Sequence, residues 1–511
     1  MRWGKVIDQD RCIGCHACSV ACKQENGVPL GSFRTWVKYV EKGVFPEVRR
    51  HFAVLRCNQC DNAPCVKICP TSAMFRRKDG IVDFDNERCI GCKSCIQACP
   101  YDAIYMDPES HTAAKCHFCA HRTERGLEPA CVAVCPERAL LVGDIDDPSS
   151  IVSQIISREA VRVRKPELGT RPKVFYKGVD EVCLQPDAAN RPSESLWGQG
   201  RSLPQFEPRP AAGRSAAAIV AYDVPREETP WGWKISAYLL TKGIGAGALM
   251  VGGLLALLKD ELPWLPALLA IFFLGITTGF LVWDLRRPER FLKIIFQPQW
   301  GSWLVRGTYC ILAALLVALV WLALGPGEAR VLGIFAIATG IGASGYTAFL
   351  FGQARGRAFW QSPLLLPHLV IQAFGAGTAA LLVFLPLLQY KSWDPRSLEN
   401  FLAALLAAAL VLDTLAILSD LYSHVGPEDA RQAARVLTQG RLKDALLVGV
   451  FGTRFVAFIA LASHFYMAVV APPAPGSTNW LLTTGAGAFA LVGIGVWEHL
   501  YVTAGQEPPL S

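Results

Sequence analysis

The hydrophobic pattern divides the chain in two. Beyond about residue 236 it runs in long apolar stretches. Eight of them, at 236–258, 264–285, 302–324, 330–352, 363–389, 400–422, 445–471 and 480–503, reach the roughly 20 residues a helix needs to cross a bilayer. Eight successive runs cannot all hide in one soluble core, which predicts eight transmembrane helices. Between Gln185 and Pro230 the chain turns rich in Pro, Ser, Ala and Arg without periodicity, as an extended linker does. Trp231 and Trp233 follow as an expected interfacial anchor. The expected domains are 1–185, a linker at 186–230, and a membrane domain at 231–511.

A chain of 511 residues exceeds one core, and a mean hydropathy of +0.28 with 18% charged residues fits a partly embedded protein. The net charge of +7 matters less than which loops carry it, and no nucleic-acid partner is expected. Sixteen of the eighteen cysteines fall between Cys12 and Cys135. No apolar stretch precedes Cys12, and Arg49-Arg50 is internal, so neither a secretory nor a twin-arginine signal is expected. So many cysteines without a signal argue for metal ligation over disulfides.

The cysteines form four groups: Cys12, Cys15, Cys18, Cys22; Cys57, Cys60, Cys65, Cys69; Cys89, Cys92, Cys95, Cys99; and Cys116, Cys119, Cys131, Cys135. The third reads C-x2-C-x2-C-x3-C-P, the bacterial ferredoxin run, in which three close thiolates wrap one cubane and the fourth ligates a neighbouring one. The first has the same spacing with Lys23 in place of the proline. Residues 8–15 repeat at 85–92, and the second and fourth groups both end in CVxxCP, so the order is A-B-A-B. Structural zinc fits poorly, because zinc takes two separated pairs and a CxxCxxC triplet strands one thiolate. Four [4Fe–4S] clusters are therefore expected, with no three-iron centre. Cys183 and Cys310 read as small apolar fillers.

These groups, with Gly143-Asp144-Ile145-Asp146-Asp147-Pro148 and Gly169-Thr170-Arg171-Pro172, resemble the electron-transfer subunit of dimethyl sulfoxide reductase and polysulfide reductase over roughly residues 1–185. Spacing shows four tetrads and no partnership. The resemblance implies one: Cys12, Cys15, Cys18 with Cys135; Cys116, Cys119, Cys131 with Cys22; Cys57, Cys60, Cys65 with Cys99; Cys89, Cys92, Cys95 with Cys69. Residues 284–291, 345–350 and 356–363 are similar to the NrfD-like membrane subunit of polysulfide reductase. The resemblance implies an α+β ferredoxin-like double domain fused to an all-α membrane domain of eight transmembrane helices in two four-helix bundles. It also implies no haem, and the scattered helix histidines agree.

Quinone chemistry needs an apolar slot, donors for the carbonyls and a proton route. Ionisable residues inside the membrane are the candidates. Tyr238, Lys242, Asp284, Tyr346 and His368 are expected at one depth, with Tyr346 and Lys242 as donors and Asp284 as proton acceptor. The resemblance favours Tyr346 and Asp284. The alternatives are a snorkelling or structurally paired Lys242 and an Asp284 paired with Arg286 or Arg287. Asp413, Asp420, Arg454, His464, Glu498 and His499 could form a proton path, although structural pairing, Arg454 with Asp413 above all, is the reading we favour.

Loops on the domain's N-terminal side carry Arg286, Arg287, Arg290, Lys293, Arg355, Arg357, Arg431, Arg435, Arg441 and Lys443, against Lys259, Arg330, Lys391 and Arg396 opposite. The positive-inside rule places the clusters on the cytoplasmic face of a prokaryotic membrane, whereas relatives in polysulfide reductase face outward. The expected function is that of an electron-transfer and anchor subunit, linking the membrane quinone pool in the lipid bilayer to a molybdopterin-containing catalytic subunit on another chain. The rivals are a quinone-linked, ion-translocating respiratory module and a module partnered with a multihaem cytochrome.

Overall fold

The computed structural model describes residues 1–190, 218–224, 230–261, 263–324, 329–387, 394–422, 426–470 and 480–511. Most of the expected linker, and Lys391, lie outside the described residues. The chain forms two compact units: Met1–Pro230 with Ala354–Gly356 and Pro509–Ser511, and Trp231–Gln353 with Arg357–Pro508.

In the first unit, short strands serve to bring the cysteine groups together. Strand β1 (Trp3–Asp8) leads into the first group. The hairpin β2 (Thr35–Val44) and β3 (Glu47–Arg56) leads into the second, in a register from Thr35 opposite Arg56 to Val44 opposite Glu47. Two further hairpins, β4 (Met74–Arg76) with β5 (Val82–Phe84) and β6 (Ile104–Met106) with β7 (Ala113–Lys115), separate the second, third and fourth groups. Strand β8 (Leu140–Asp144) follows the fourth group and pairs antiparallel with β1, Ile7 opposite Leu140. Strands β9 (Val161–Arg162) and β10 (Val174–Lys177) complete the order β8-β1-β10-β9. Because β1 precedes Cys12 and β8 follows Cys135, this pairing closes the first group onto the last.

The expected linker is interrupted by strand β11 (Ala218–Tyr222), antiparallel to β2. Ala218 and Val220 are buried and Ile219 is exposed, so a short period-2 segment adds itself to an open sheet edge. Cys183 is buried in the core beneath that sheet, as a filler should be.

Short helices carry the later cysteines of each group: α1 (Ala17–Asn26), α2 (Pro64–Ile68), α3 (Ser94–Ala98) and α4 (Ala130–Ala133). The second unit is built from eight helices long and apolar enough to cross a membrane among the described residues. They are α5 (Trp233–Lys259), α6 (Trp264–Asp284), α7 (Trp303–Leu324), α8 (Ala329–Gln353), α9 (Leu365–Val383), α10 (Pro395–Tyr422), α11 (Ala445–Val470) and α12 (Trp480–Ala504). Their ends fall within about six residues of the hydropathy boundaries. Helix α11 begins with a π-helical stretch, Ala445–Gly452, which the apolar pattern could not reveal.

One apolar core is shared by α5, α6, α7 and α8, and a second joins α9 to α12 with α5 again and with Leu265 and Leu269 of α6. Helix α5 reaches both because its small residues let neighbours approach. A Cβ on Gly247 would lie 1.8 Å from the Ala373 carbonyl oxygen, and one on Gly377 2.0 Å from the Gly247 carbonyl carbon. Outward faces expose Leu316, Phe455 and Ile459, as lipid contact requires. Trp233 is exposed, but Trp231 is buried and stacked on Trp360 with centroids 5.4 Å apart, so only Trp233 remains available as an anchor. Arg357, counted with the basic loops, is also buried and donates to the carbonyls of Gln506 (2.9 Å) and Pro508 (3.2 Å).

Gly247→Val or Gly377→Val is expected to destabilise the membrane unit by about 1–3 kcal/mol or more through overpacking. Gly275→Ala, whose Cβ meets nothing within 4 Å, should be neutral or slightly stabilising. Thermal unfolding in detergent measures the difference.

Candidate functional site

The repeat read in the sequence is reproduced in the backbone. Gly14 and Gly91, inside the two CIGC runs, have φ of 69° and 71°, and the residues after the second cysteine, His16 and Lys93, have 60° and 61°. The CxxC turns of the other groups likewise place Gln59 (48°) and Phe118 (63°) in the left-handed region. After each Cys-Pro pair a third left-handed residue recurs at Ser72, Asp102 and Arg138. Turns of this kind aim backbone N–H groups at sulfur: Met74 N–H donates to Cys69 Sγ (3.4 Å), Ala113 N–H to Cys89 Sγ (3.4 Å) and Ala139 N–H to Cys135 Sγ (3.3 Å).

The structure gathers the cysteines into four tetrads. Cys12, Cys15, Cys18 and Cys135 line one cavity, and Cys69, Cys89, Cys92 and Cys95 line another. Cys60 lies within electrostatic reach of Cys57, Cys65 and Cys99, and Cys22 within reach of Cys116, Cys119 and Cys131. Asn26 Nδ2 bridges Cys22 Sγ (3.7 Å) and Cys119 Sγ (3.8 Å). Among the described residues no three His, Cys, Asp or Glu side chains converge tightly enough to hold a single metal ion. Four thiolates around one space are the donor set that a multinuclear iron–sulfur cluster takes.

These tetrads form a linear series. Cys18 and Cys22 share α1 one turn apart and face different tetrads; Cys65 with Cys69, Cys95 with Cys99, and Cys131 with Cys135 do the same four residues apart, the second of each pair lying just past its short helix. One turn separates such partners by only about 6 Å along the helix axis. Cys57 and Cys116 lie within electrostatic reach of each other and link the two middle tetrads. Burial pushes the Cys22 thiol up to about 12 and Cys92 up to about 12. Burial also raises Cys131, but the Arg56 guanidinium and Lys5 ammonium beside it outweigh that and bring it down to about 7.

In the membrane unit, four of the five expected quinone residues come together. Lys242 is buried, donates to the Ser344 carbonyl (3.1 Å) and to Thr347 Oγ1, and lies 5.0 Å over the Tyr346 ring and 5.9 Å from that of Tyr238. Tyr346 fits because α7 carries Gly307, where a Cβ would meet the Tyr346 ring at 2.1 Å. Asp284, at the end of α6, is within electrostatic reach of Tyr238. Glu498, grouped by sequence with the proton path, joins this set: with Lys242, Ser344 and Gln372 it lines a small cavity whose other walls include Leu239, Leu369 and Ile494.

His368 belongs elsewhere. Its Nε2 lies 3.0 Å from Asp413 Oδ1 and its Nδ1 3.6 Å from Asp420 Oδ2, while Ser362 donates to Asp420 Oδ1 (2.7 Å). Arg454 closes the network on Asp413 Oδ2 and donates to Val450 O in the π-helical stretch (3.3 Å). His464 sits apart, 2.7 Å from Asn400 Oδ1 and 3.6 Å from Glu399 Oε1. Glu399, fully buried and bonded by Thr483 (2.9 Å), was missed because it falls one residue before the expected helix. It lies about 21 Å along α10 from Asp413, with Leu402, Leu406 and Leu410 buried between. His499 is exposed and lies 3.4 Å from Ser236 Oγ.

Arg454→Leu leaves Asp413 buried against a lost partner and is expected to cost about 3–5 kcal/mol. Replacing both by Leu should cost less than the single change, measured as unfolding in detergent.

Comparison with known proteins matches these parts in turn. Residues 224–507 match the family model described as polysulphide reductase, NrfD. Residues 48–145 match a 4Fe-4S dicluster domain and residues 3–24 a 4Fe-4S binding domain. The chain is 48% identical over 200 residues to a subunit of tetrathionate reductase from Salmonella typhimurium, covering 38% of this chain and 80% of that one. It is 38% identical over 224 residues to the arsenate respiratory reductase iron-sulfur subunit of a Shewanella species, covering 34% and 96%. It is 43% identical over 179 residues to a component of polysulfide reductase from Wolinella succinogenes, covering 34% and 93%. With more than half its length matched, the chain belongs to the NrfD polysulphide reductase family and carries, fused ahead of that multi-pass membrane domain, an iron–sulfur electron-transfer domain.

Proposed function

We propose that this chain passes electrons between membrane quinone and a molybdopterin-containing catalytic subunit on a separate chain, through four [4Fe–4S] clusters. The observation that carries this reading is the linear series of four cysteine tetrads, each with three sulfurs from one group and one from another. When bound, such clusters supply one-electron transfer, and their potentials follow from charge, hydrogen bonding and burial. The protein's part is to hold sulfurs of neighbouring tetrads on cysteines four residues apart, and Cys57 within reach of Cys116, so that each transfer is short. Cys12, Cys15, Cys18 and Cys135 hold the first cluster; Cys22, Cys116, Cys119 and Cys131 the second; Cys57, Cys60, Cys65 and Cys99 the third; Cys69, Cys89, Cys92 and Cys95 the fourth.

The quinone headgroup is assigned to the cavity beside Lys242, inside a domain we read as two four-helix bundles sharing α5. Lys242 and Tyr346 donate to quinone oxygens, and Asp284 and Glu498 take or return the protons that accompany the two electrons. Support comes from a buried cation and a buried carboxylate, Lys242 and Glu498, that line an apolar slot, with the phenol rings of Tyr238 and Tyr346 packed beside that cation. We place the iron–sulfur domain on the cytoplasmic face, from the basic loops. The partner class follows from the relatives, which are named as parts of tetrathionate, arsenate and polysulfide reductases, the arsenate one as an iron–sulfur subunit. An ion-translocating role draws less support, because Asp413 and Glu399 are separated by buried leucines.

Anaerobic purification of the native complex in mild detergent tests the reading. We expect about sixteen non-haem irons per chain, a large co-purifying partner, and molybdenum or tungsten. Cys22→Ser should remove about four irons and spare the rest. Haem in place of molybdenum would overturn the partner assignment.

A further inference from the structure

Two buried cations converge on one cysteine sulfur. Arg56 ends β3, fully buried, with Nη1 3.2 Å from Cys131 Sγ and Nη2 2.7 Å from Thr35 Oγ1, its cross-strand neighbour. Lys5 on β1 is 1% exposed, with Nζ 3.6 Å from the same Sγ and 4.4 Å from the centroid of Phe118. Neither forms an ion pair with a carboxylate among the described residues. Elsewhere in this unit Lys173 lies 3.4 Å from Asp61, and Lys115 donates to the carbonyls of Val82 and Cys116. The sulfurs of Cys69, Cys89 and Cys135 each receive a neutral backbone N–H donor.

A guanidinium and an ammonium taken out of water without anionic partners are strongly disfavoured. The anionic groups within electrostatic reach of Arg56 are thiolates, those of Cys131, Cys116 and Cys18. Charge-assisted donors to a cluster sulfur favour the more negative oxidation level, and each reduction adds one electron, and so one negative charge, beside Cys131. Arg56 stays charged at any working pH, so the compensation needs no proton uptake.

We propose that Arg56 and Lys5 set the potential of the cluster held by Cys22, Cys116, Cys119 and Cys131, raising it so that it accepts an electron before the other three. The proposal rests on the four-cluster reading above. It makes the second position in the series the resting place of the first electron, whatever the direction of flow.

The test is a potentiometric titration of the anaerobically purified full chain followed by electron paramagnetic resonance, with iron counted first. Fewer than four clusters in the unaltered protein would overturn the four-cluster reading, which is settled before any potential is compared. With four clusters present, Arg56→Gln should lower one midpoint potential, the highest, and leave three in place. Arg56→Lys should restore most of it, and Lys5→Met should cause a smaller fall in the same signal. That signal should be the one missing from Cys119→Ser. If Arg56→Gln loses iron, Lys5→Met carries the test alone. Unmoved potentials in iron-replete variants, or a shift in a signal that survives Cys119→Ser, would overturn the proposal.

Discussion

Sulfur placement is the constraint on which the iron–sulfur unit depends. The unit has short strands, helices of one to three turns and a run of left-handed residues at corresponding positions of its repeats. Each of these costs conformational energy that a small apolar core would struggle to offset. The geometry becomes favourable when the sixteen sulfurs are tied to common centres, since ligation of a site absent from the unfolded chain is itself folding free energy. The sheet between β1 and β8 makes the same point from the other side. It fastens the two ends of the cysteine region together, and in doing so delivers Cys135 to the first tetrad.

The membrane unit answers a different demand, the isolation of charge from lipid. Its buried ionisable groups are held in separate sets. One has Lys242 and Glu498 around a cavity; another has Arg454, Asp413, His368 and Asp420 in mutual contact; a third has Glu399 and His464. The second set pairs its charges among its own members and suits the locking of α9, α10 and α11. The first set has polar groups facing open space, which is what a polar headgroup in an apolar slot requires. The π-helical stretch ahead of Arg454 gives that side chain a carbonyl to bond within the helix, a local irregularity tied to a buried charge.

Much of this was legible in the sequence, for identifiable reasons. Cysteine spacing is a short-range code, so the four groups follow directly from it while their partnership does not, and apolar runs of bilayer length mark the eight helices within about six residues. Side-chain direction is less accessible. His368 shares its depth with Lys242 but turns toward α10, and Glu498 does the reverse, because position on a helix fixes height and leaves rotation to packing. Trp231 reads as an anchor until its stacking on Trp360 is known. Arg56 and Lys5 look like ordinary strand cations; only the β2–β3 register and the closure of β1 on β8 bring both to Cys131.

The central claim is that quinone bound beside Lys242 exchanges electrons with the cysteine-held clusters of the same chain. Anaerobic reoxidation of the dithionite-reduced chain by added quinone, followed through cluster absorbance, tests it most directly. The account predicts rapid reoxidation that slows about tenfold or more in Lys242→Met and Tyr346→Phe at unchanged iron content, the loss of one donor being worth about 1.4 kcal/mol or more. Clusters that react with quinone equally fast in both variants, or that never react with it, would contradict the account.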